Sequence, residues 1–364
     1  LLTVKRFHTL DALRFLAFLK VFFLHLPDVP AFETYSFLKQ GGGTGVALFF
    51  VLSGFLISDI LLKRKLTYSA INARTFFARR ALRIWPLYFL GVAIAFLGIQ
   101  FTSSLGISDS NGYMPTPWTS LLFVENYRMI WEASHPRGVP LNVFWSLCIE
   151  EHFYLLWLAF FVFVPIKYLF KLFVLLFVAG ISFRLLALVL LPGLDLNGAE
   201  ILTSLDYFAV GAIIAYVLHF AYAKTTALVS IPVRVFVLCI ALLFMIIQHV
   251  FYNQLGVFAI SLTSLVYGAL IAVFVFGNSA SFIISDAHWL SKWGRLSYGL
   301  YVFHTPVILV LLMLFKYMSL PLNNAPVLIV FILVSFLITL AIAAFVYTFY
   351  ERYFLKLRER FFNS

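Results

Sequence analysis

Long apolar runs separated by short polar clusters fill the chain from one end to the other. An apolar run of about twenty residues crosses a hydrocarbon core as a helix, because a helix satisfies its own backbone hydrogen bonds where water is absent. Spans are predicted at about residues 10–26, 46–62, 84–101, 143–165, 172–191, 201–220, 232–251, 256–276, 296–315 and 327–349. The seventh and eighth meet at a minimal turn, Tyr252 to Leu255. The expected fold is an all-α polytopic membrane protein, a bundle of about ten transmembrane helices. Residues 1–364 read as a single transmembrane domain, with no repeat of fixed period, low-complexity tract or appended soluble domain.

The polar clusters orient this bundle. Lys5, Arg6 and His8 precede the first span, and the segment from Lys63 to Arg83 carries seven basic residues and no acid. Lys167 and Lys171, Lys224 and Arg234, Lys292 and Arg295, and the tail Arg352, Lys356, Arg358 and Arg360 recur on the same side by alternation, while Asp28, Glu33, Asp109, Asp195 and Glu200 fall on the other. By the positive-inside rule the basic side is cytoplasmic, which puts both termini in the cytoplasm of a multi-pass protein of the cytoplasmic (inner) membrane. Trp85, Pro86 and Tyr88 read as an interfacial belt at the start of the third span, with the proline in a first helical turn. The loop of about forty residues from Thr102 to Asn142 lies outside, and its stretch TPWTSLLFVENY is expected to form a short surface helix roofing a site.

Composition sharpens the picture in three ways. With 63% hydrophobic and 11% charged residues, and a mean hydropathy of +1.00, the chain is too apolar for a soluble domain. The net charge of +11 is spread over membrane boundaries rather than gathered on a polar domain, so no nucleic-acid partner is expected and the lipid bilayer is. Cys148 and Cys239 both fall inside spans and read as small buried apolar residues rather than a disulfide or metal pair, and no metal site is expected. The first span lacks a following A-x-A-like site, and its charges are unlike a signal peptide's apolar core, so it reads as retained.

That first span, LDALRFLAFLKVFFLHL, concentrates the candidate chemistry. Arg14 and His25 are eleven residues apart, which is three helical turns plus about 20°, so they share a face about 16 Å apart along the axis. Ionisable groups at such depth normally face a bundle interior or wet cavity. Arg80 and Arg83, spaced i, i+3 in FFARRALRIWPLY, lie on the same inner side as Arg14 and suit a polyphosphate, although basic residues at that boundary also serve as topological anchors. Glu150 and Glu151 fall at a depth comparable with His25, where a carboxylate would orient an imidazole and stabilise its protonated form. Tyr154, four residues beyond Glu150, would hold one carboxylate, and a rim salt bridge with Arg128 or Arg137 is the structural alternative. Ser297, Tyr301 and His304 make one polar stripe on the ninth span, read as lining a cofactor tunnel. Asp206 and Lys20 read as buried charges that either neutralise one another or pair with Arg184. Ser53 in LSGFL is either a nucleophile or part of a close-packing Ser-Gly pair.

LDALRFLAFLKVFFLH, GTGVALFFVLSGFLI, FFARRALRIWPLY, WSLCIEEHFYLLW and GRLSYGLYVFHTPV, in this order, resemble the acyltransferase family 3 transmembrane domain across nearly the whole chain. The resemblance implies about ten helices and transfer of an acyl group, commonly acetyl, from cytoplasmic acyl-coenzyme A to hydroxyls of extracytoplasmic glycans. Some members of the family modify macrolides or other small molecules instead. It implies that His25 is the catalytic histidine, Arg14 its partner in an Arg-x10-His motif, Arg80 and Arg83 the Arg-x-x-Arg element, and Glu150 and Glu151 the paired acids. Two departures stand out: Lys20 is an unusual charge for this helix, and TSLDYFAVGA has Thr203 and Ser204 where an Arg often precedes the Asp. No SGNH-type esterase domain follows the last helix, so a relay through one needs a separate chain.

The expected mechanism docks acetyl-coenzyme A phosphates on Arg14, Arg80 and Arg83, with Tyr301 and His304 along its path. His25 then takes the acceptor hydroxyl proton while Glu150 or Glu151 stabilises the imidazolium. A covalent acyl-enzyme on His25 or Ser53 stays open at this stage. The competing class is a transporter of an anionic solute with a buried charge relay, which predicts inverted halves with interrupted helices in matching positions; no such pairing is visible.

Overall fold

The computed structural model describes residues 8–68, 70–104, 112–138, 140–191, 193, 194, 196, 198–277 and 284–362. Lys5, Arg6, Asp109 and Asp195, which the orientation argument uses, lie outside the described residues. The apolar runs form helices as their composition demands. In chain order they are α1 (His8–His25), α2 (Glu33–Lys39), α3 (Gly43–Tyr68), α4 (Ala73–Ser104), α5 (Pro117–Leu121), α6 (Glu125–Glu132), α7 (Trp145–Phe163), α8 (Ile166–Leu190), α9 (Leu205–Phe220), α10 (Tyr222–Leu228), α11 (Ile231–Leu255), α12 (Ala259–Val275), α13 (Trp289–Arg295), α14 (Ser297–Tyr317), α15 (Ala325–Val346) and α16 (Arg352–Phe362). Among the described residues the only β feature is an isolated bridge between Tyr113 and Pro136. The protein is an all-α polytopic membrane protein.

Nine helical segments among the described residues are long and apolar enough to cross a membrane. The tenth expected span, α1, is excluded from that set by its charges, since its 18 residues hold Asp11, Arg14 and Lys20. It belongs to the bundle through packing: α3, α13 and α14 all pack against it. Lys20 caps the end of α2, donating to the carbonyls of Leu38 (3.0 Å) and Gln40 (2.7 Å).

Two boundaries differ from the sequence reading. The basic segment before the third span is helix rather than loop, since α4 starts at Ala73 and the Asn72 side chain accepts from the Thr75 amide (2.9 Å) as an N-cap. Pro86 consequently sits inside α4 rather than in its first turn. Neighbouring helices supply donors around it: Tyr298 Oη reaches the Ile84 carbonyl (2.9 Å) and Tyr350 Oη the Pro86 carbonyl (3.2 Å). The stretch TPWTSLLFVENY gives two short helices, α5 and the start of α6, instead of one. Cys148 is buried as expected, but Cys239 is exposed on α11.

The core is centred on α3 and α9, whose backbones touch through glycine. A Cβ at Gly54 would stand 2.4 Å from the Phe208 carbonyl oxygen, and one at Gly211 would stand 2.3 Å from that of Val51. Small residues at this crossing substitute for a hydrophobic driving force that lipid does not provide. Beside it, Arg184 of α8 grips Asp206 of α9 through two parallel bonds of 2.8 and 2.9 Å. Arg184 also donates to the carbonyls of Thr203 and Val257 and to Ser261 Oγ, each at 2.8 Å. Every face of that guanidinium is used, so the pair is structural.

Removing one member leaves the other charged and buried, at a cost of about 3–5 kcal/mol. Thermal unfolding of the detergent-solubilised protein is expected to show Asp206→Leu and Arg184→Met each strongly destabilised, and the double variant less so than either single one.

Candidate active site

The rotation of α1 about its own axis is set by rings on one side and glycine on the other. Phe15 packs among Trp293, Trp289 and Phe336, with ring centroids 5.2, 6.0 and 6.2 Å away. Gly294 of α13 comes so close that a Cβ there would stand 1.8 Å from the Asp11 carbonyl oxygen. Held this way, α1 turns Arg14 and His25 toward α14. Arg14 lines a cavity also lined by Ser297 and Tyr301 of α14, and His25 meets His304 of the same helix.

The cavity, of about 170 Å³, is charged at Arg14, Arg80, Arg83 and Glu150, carries serine and tyrosine side chains, among them Ser53, Ser146, Tyr154 and Tyr301, and is otherwise apolar. Arg14 Nη1 donates to Asp11 Oδ1 at 2.6 Å. Glu150 accepts from Ser53 Oγ at 2.8 Å and from Tyr154 Oη. Glu151 accepts from Trp85 Nε1 at 3.2 Å, and its second oxygen is buried without a partner among the described residues. Arg80 leans over the Phe76 ring, and its Nε is likewise buried with no hydrogen-bond partner among them. Neither Arg80 nor Arg83 has a carboxylate at salt-bridge distance among the described residues. An unused buried N–H beside a second free guanidinium suits an anion with several oxygens, phosphate above all.

Farther along α14, the His304 ring meets His25. Nε2 of His304 is 3.2 Å from Nδ1 of His25, and the rings sit 4.9 Å apart edge to face. His25 Nδ1 also lies 2.9 Å from the Val21 carbonyl oxygen, and His304 Nδ1 lies 2.7 Å from that of Tyr301. Phe18, between Arg14 and His25 on α1, packs edge-on against His304 at 5.8 Å. Tyr301 separates the pair from the cavity, its hydroxyl donating to the Val143 carbonyl (2.9 Å) and lying 2.7 Å from Ser146 Oγ.

Residues 112–138, between α4 and α7, gather around Glu125. That buried carboxylate accepts from Tyr113 Oη (2.6 Å), Thr119 Oγ1 (2.5 Å) and Ser120 Oγ (3.0 Å). Burial, then the Glu125 hydrogen bond, pushes the Tyr113 phenol above its ordinary range, so it stays a donor. Phe123, at φ 57°, inserts against Tyr88 of α4 with stacked rings 4.2 Å apart. Irregular backbone reaching this far between helices is tolerated because protein, not lipid, surrounds it. Arg128 pairs with Glu132 at 3.5 Å rather than with Glu150.

Arg14, Arg80, Arg83, Glu150 and Tyr301 are thus brought to one cavity, and Ser53 joins them as a ligand of Glu150. The expectation that Glu150 or Glu151 meets His25 is corrected. α7 packs on α3 and α4 rather than on α1, which hands both acids to Ser53, Tyr154 and Trp85. The expected stripe of Ser297, Tyr301 and His304 exists, but His304 lies beyond the cavity, at His25. Sequence reading missed three contacts, that of His304 with His25 among them. Asp11 as the partner of Arg14 was readable from its i, i+3 spacing; Trp85 as the partner of Glu151, 66 residues away, carries no local signal.

A family model described as "Acyltransferase domain" matches residues 7–345. The peptidoglycan O-acetyltransferase OatA of Listeria monocytogenes is 27% identical over 319 residues, covering 82% of this chain and 49% of that protein. Nodulation protein 10 of Rhizobium leguminosarum bv. viciae is 32% identical over 163 residues, covering 40% of this chain and 41% of that protein. The chain therefore spans about half the length of these relatives or less. No solved structure matches it.

If the arginine cavity is an anion site, pyrophosphate is expected to raise the melting temperature of the detergent-solubilised protein in a concentration-dependent way, as any ligand of the folded state does. Arg80→Ala should abolish most of that rise. An equal rise in the variant would make the arginines boundary anchors only.

Proposed function

The chain belongs to the acyltransferase family whose domain it carries over residues 7–345, and on that premise we propose that it is a membrane-embedded O-acetyltransferase. In this reading the donor is acetyl-coenzyme A and the acceptor a glycan hydroxyl. The observation that carries it is that one helix, α14, lines a cavity holding two arginines with no carboxylate at salt-bridge distance among the described residues and, about one turn beyond Tyr301, meets a half-buried histidine whose Nε2 has no partner among them. The basic boundary residues support a cytoplasmic position for the arginine end, with the acceptor arriving at the histidine end. OatA's name supports a glycan acceptor.

Each residue then has a task. Arg80 and Arg83 bind donor phosphates, with Arg14 held ready by Asp11. Acetyl-coenzyme A would supply the acetyl thioester when bound. Glu150, fixed by Ser53 and Tyr154, offsets the positive charge of the cavity and leaves the reacting centre to His25. Its Nε2 takes the acceptor proton as the C–O bond forms and returns it to the departing thiolate as the C–S bond breaks, so ester and thiol are the products. Ser53 lies in the arginine cavity rather than at His25, so this reading takes direct transfer at His25 over a seryl intermediate.

General base catalysis contributes about 10²–10⁴-fold. His25→Ala is expected to lower kcat for coenzyme A release by that order while leaving acetyl-coenzyme A affinity unchanged. Arg80→Ala should weaken the affinity about ten- to hundredfold, the worth of a charge-assisted hydrogen bond. Calorimetric binding and a thiol-release assay on purified protein separate the two effects, and a His25→Ala protein turning over at the wild-type rate would remove the basis of the proposal.

A further inference from the structure

Two backbone carbonyls settle which nitrogens of the histidine pair carry hydrogen. A carbonyl oxygen only accepts, so His25 Nδ1, 2.9 Å from the Val21 oxygen, is an N–H, and so is His304 Nδ1, 2.7 Å from the Tyr301 oxygen. In neutral rings both Nε2 atoms are then bare. The 3.2 Å contact consequently joins a donor, His25 Nδ1–H, to an acceptor, the His304 Nε2 lone pair.

We propose that His304 is a positioning residue that holds His25 in the Nδ1–H tautomer and stabilises the imidazolium formed when His25 Nε2 takes a proton. The inference rests on reading His25 as the proton acceptor of acetyl transfer. His304 is fully buried and lies against the edge of Phe18. A proton on its Nε2 would point at the N–H of His25 and add an unpaired charge to an apolar surround, so His304 stays neutral and accepting. Protonation of His25 makes its Nδ1–H a charge-assisted donor, shared between the Val21 carbonyl and His304, which strengthens both bonds in the charged state alone.

Among the described residues no carboxylate lies within hydrogen-bond distance of His25. The other titratable or charged groups in electrostatic range of it there are His135, from the segment before α7, and Lys39 of α2, which is paired with Asp28. Both acids of α7 are engaged elsewhere. A neutral imidazole thus fills the place that an aspartate holds in a Ser-His-Asp triad, fixing tautomer and orientation without a second buried charge. The Tyr301 carbonyl fixes His304 in turn, and the Tyr301 hydroxyl is anchored at Val143 and Ser146.

The test compares His304→Gln, His304→Asn, His304→Leu and His25→Ala in the full chain, purified in detergent, by release of coenzyme A from acetyl-coenzyme A with N-acetylglucosamine–N-acetylmuramic acid oligomers as acceptor probe. Gln sets an amide oxygen near the present Nε2 and should keep kcat within about fivefold; Asn is too short, and Leu has no acceptor. Both are expected to lose about 30- to 100-fold in kcat with KM for acetyl-coenzyme A within about twofold, and to add no further loss in the His25→Ala background. Carbethoxylation of His25, followed by mass spectrometry against pH, gives a readout independent of turnover. Its midpoint should fall by about half a unit to one unit in the Asn variant and stay in place in the Gln variant, because the lost acceptor favoured the protonated ring. An unmoved midpoint in the Asn and Leu variants overturns the proposal, as does a Gln variant as impaired as Leu. A His25→Ala protein with wild-type turnover instead overturns the reading of His25 as base, and the midpoint still decides the role of His304.

Discussion

A charge inside a membrane bundle must find a partner, and the first helix of this protein carries more of them than any lipid-facing helix tolerates. Each is answered locally. Arg14 meets Asp11, Lys20 meets the two carbonyls that end α2, and His25 meets the Val21 carbonyl and His304. These contacts need protein on most sides of α1, and the close approach of Gly294 with the aromatic packing of Phe15 provides it. The packing of α1 among α3, α13 and α14 follows from the chemistry of its side chains, and the cavity follows from that packing.

Two buried arginines, Arg184 and Arg80, show how satisfaction separates structure from function. Arg184 spends its N–H groups on Asp206, two carbonyls and a serine, and it fixes the junction of α8 and α9. Arg80 keeps a buried N–H unused among the described residues. A group left unsatisfied in the interior costs free energy that folding alone does not recover, so such a residue points to a ligand. The same distinction applies to the acids: Asp206 and Glu125 are saturated, whereas Glu151 keeps one bare oxygen within a helix turn of the arginine cavity.

What the sequence made legible was whatever one helix decides by itself. The Asp11–Arg14 and Glu150–Tyr154 pairs, the shared face of Arg14 and His25, and the Ser297, Tyr301, His304 stripe all follow from helical periodicity. Depth along the membrane normal was legible too, which is why Glu150 and His25 look like neighbours on paper. Depth is a single coordinate, however, and the direction each helix faces comes from packing. α7 turns its acids to α3 and α4, and the imidazole partner of His25 comes from α14, 279 residues away. The start of α4 was hidden for another reason. Its basic first turns look like a loop to a hydropathy reading, although arginine and alanine are good helix formers and Asn72 caps them.

On the proposed reading, the distance between anion site and histidine is itself a selection device. Arg14 and His25 stand about 16 Å apart along α1, too far for a compact acetyl donor to touch both. A donor held by phosphates at one end reaches the histidine only if its reactive group sits on a long thin arm, and a cavity walled by Phe49, Phe50 and Tyr301 admits an arm more readily than a sugar. Donor and acceptor then approach from opposite ends and meet only at His25. Water has little room to follow the arm inward, and the acceptor has no route to the phosphates. The charges that make α1 a poor membrane helix are, in this view, the two fixed points between which the transferred group is measured.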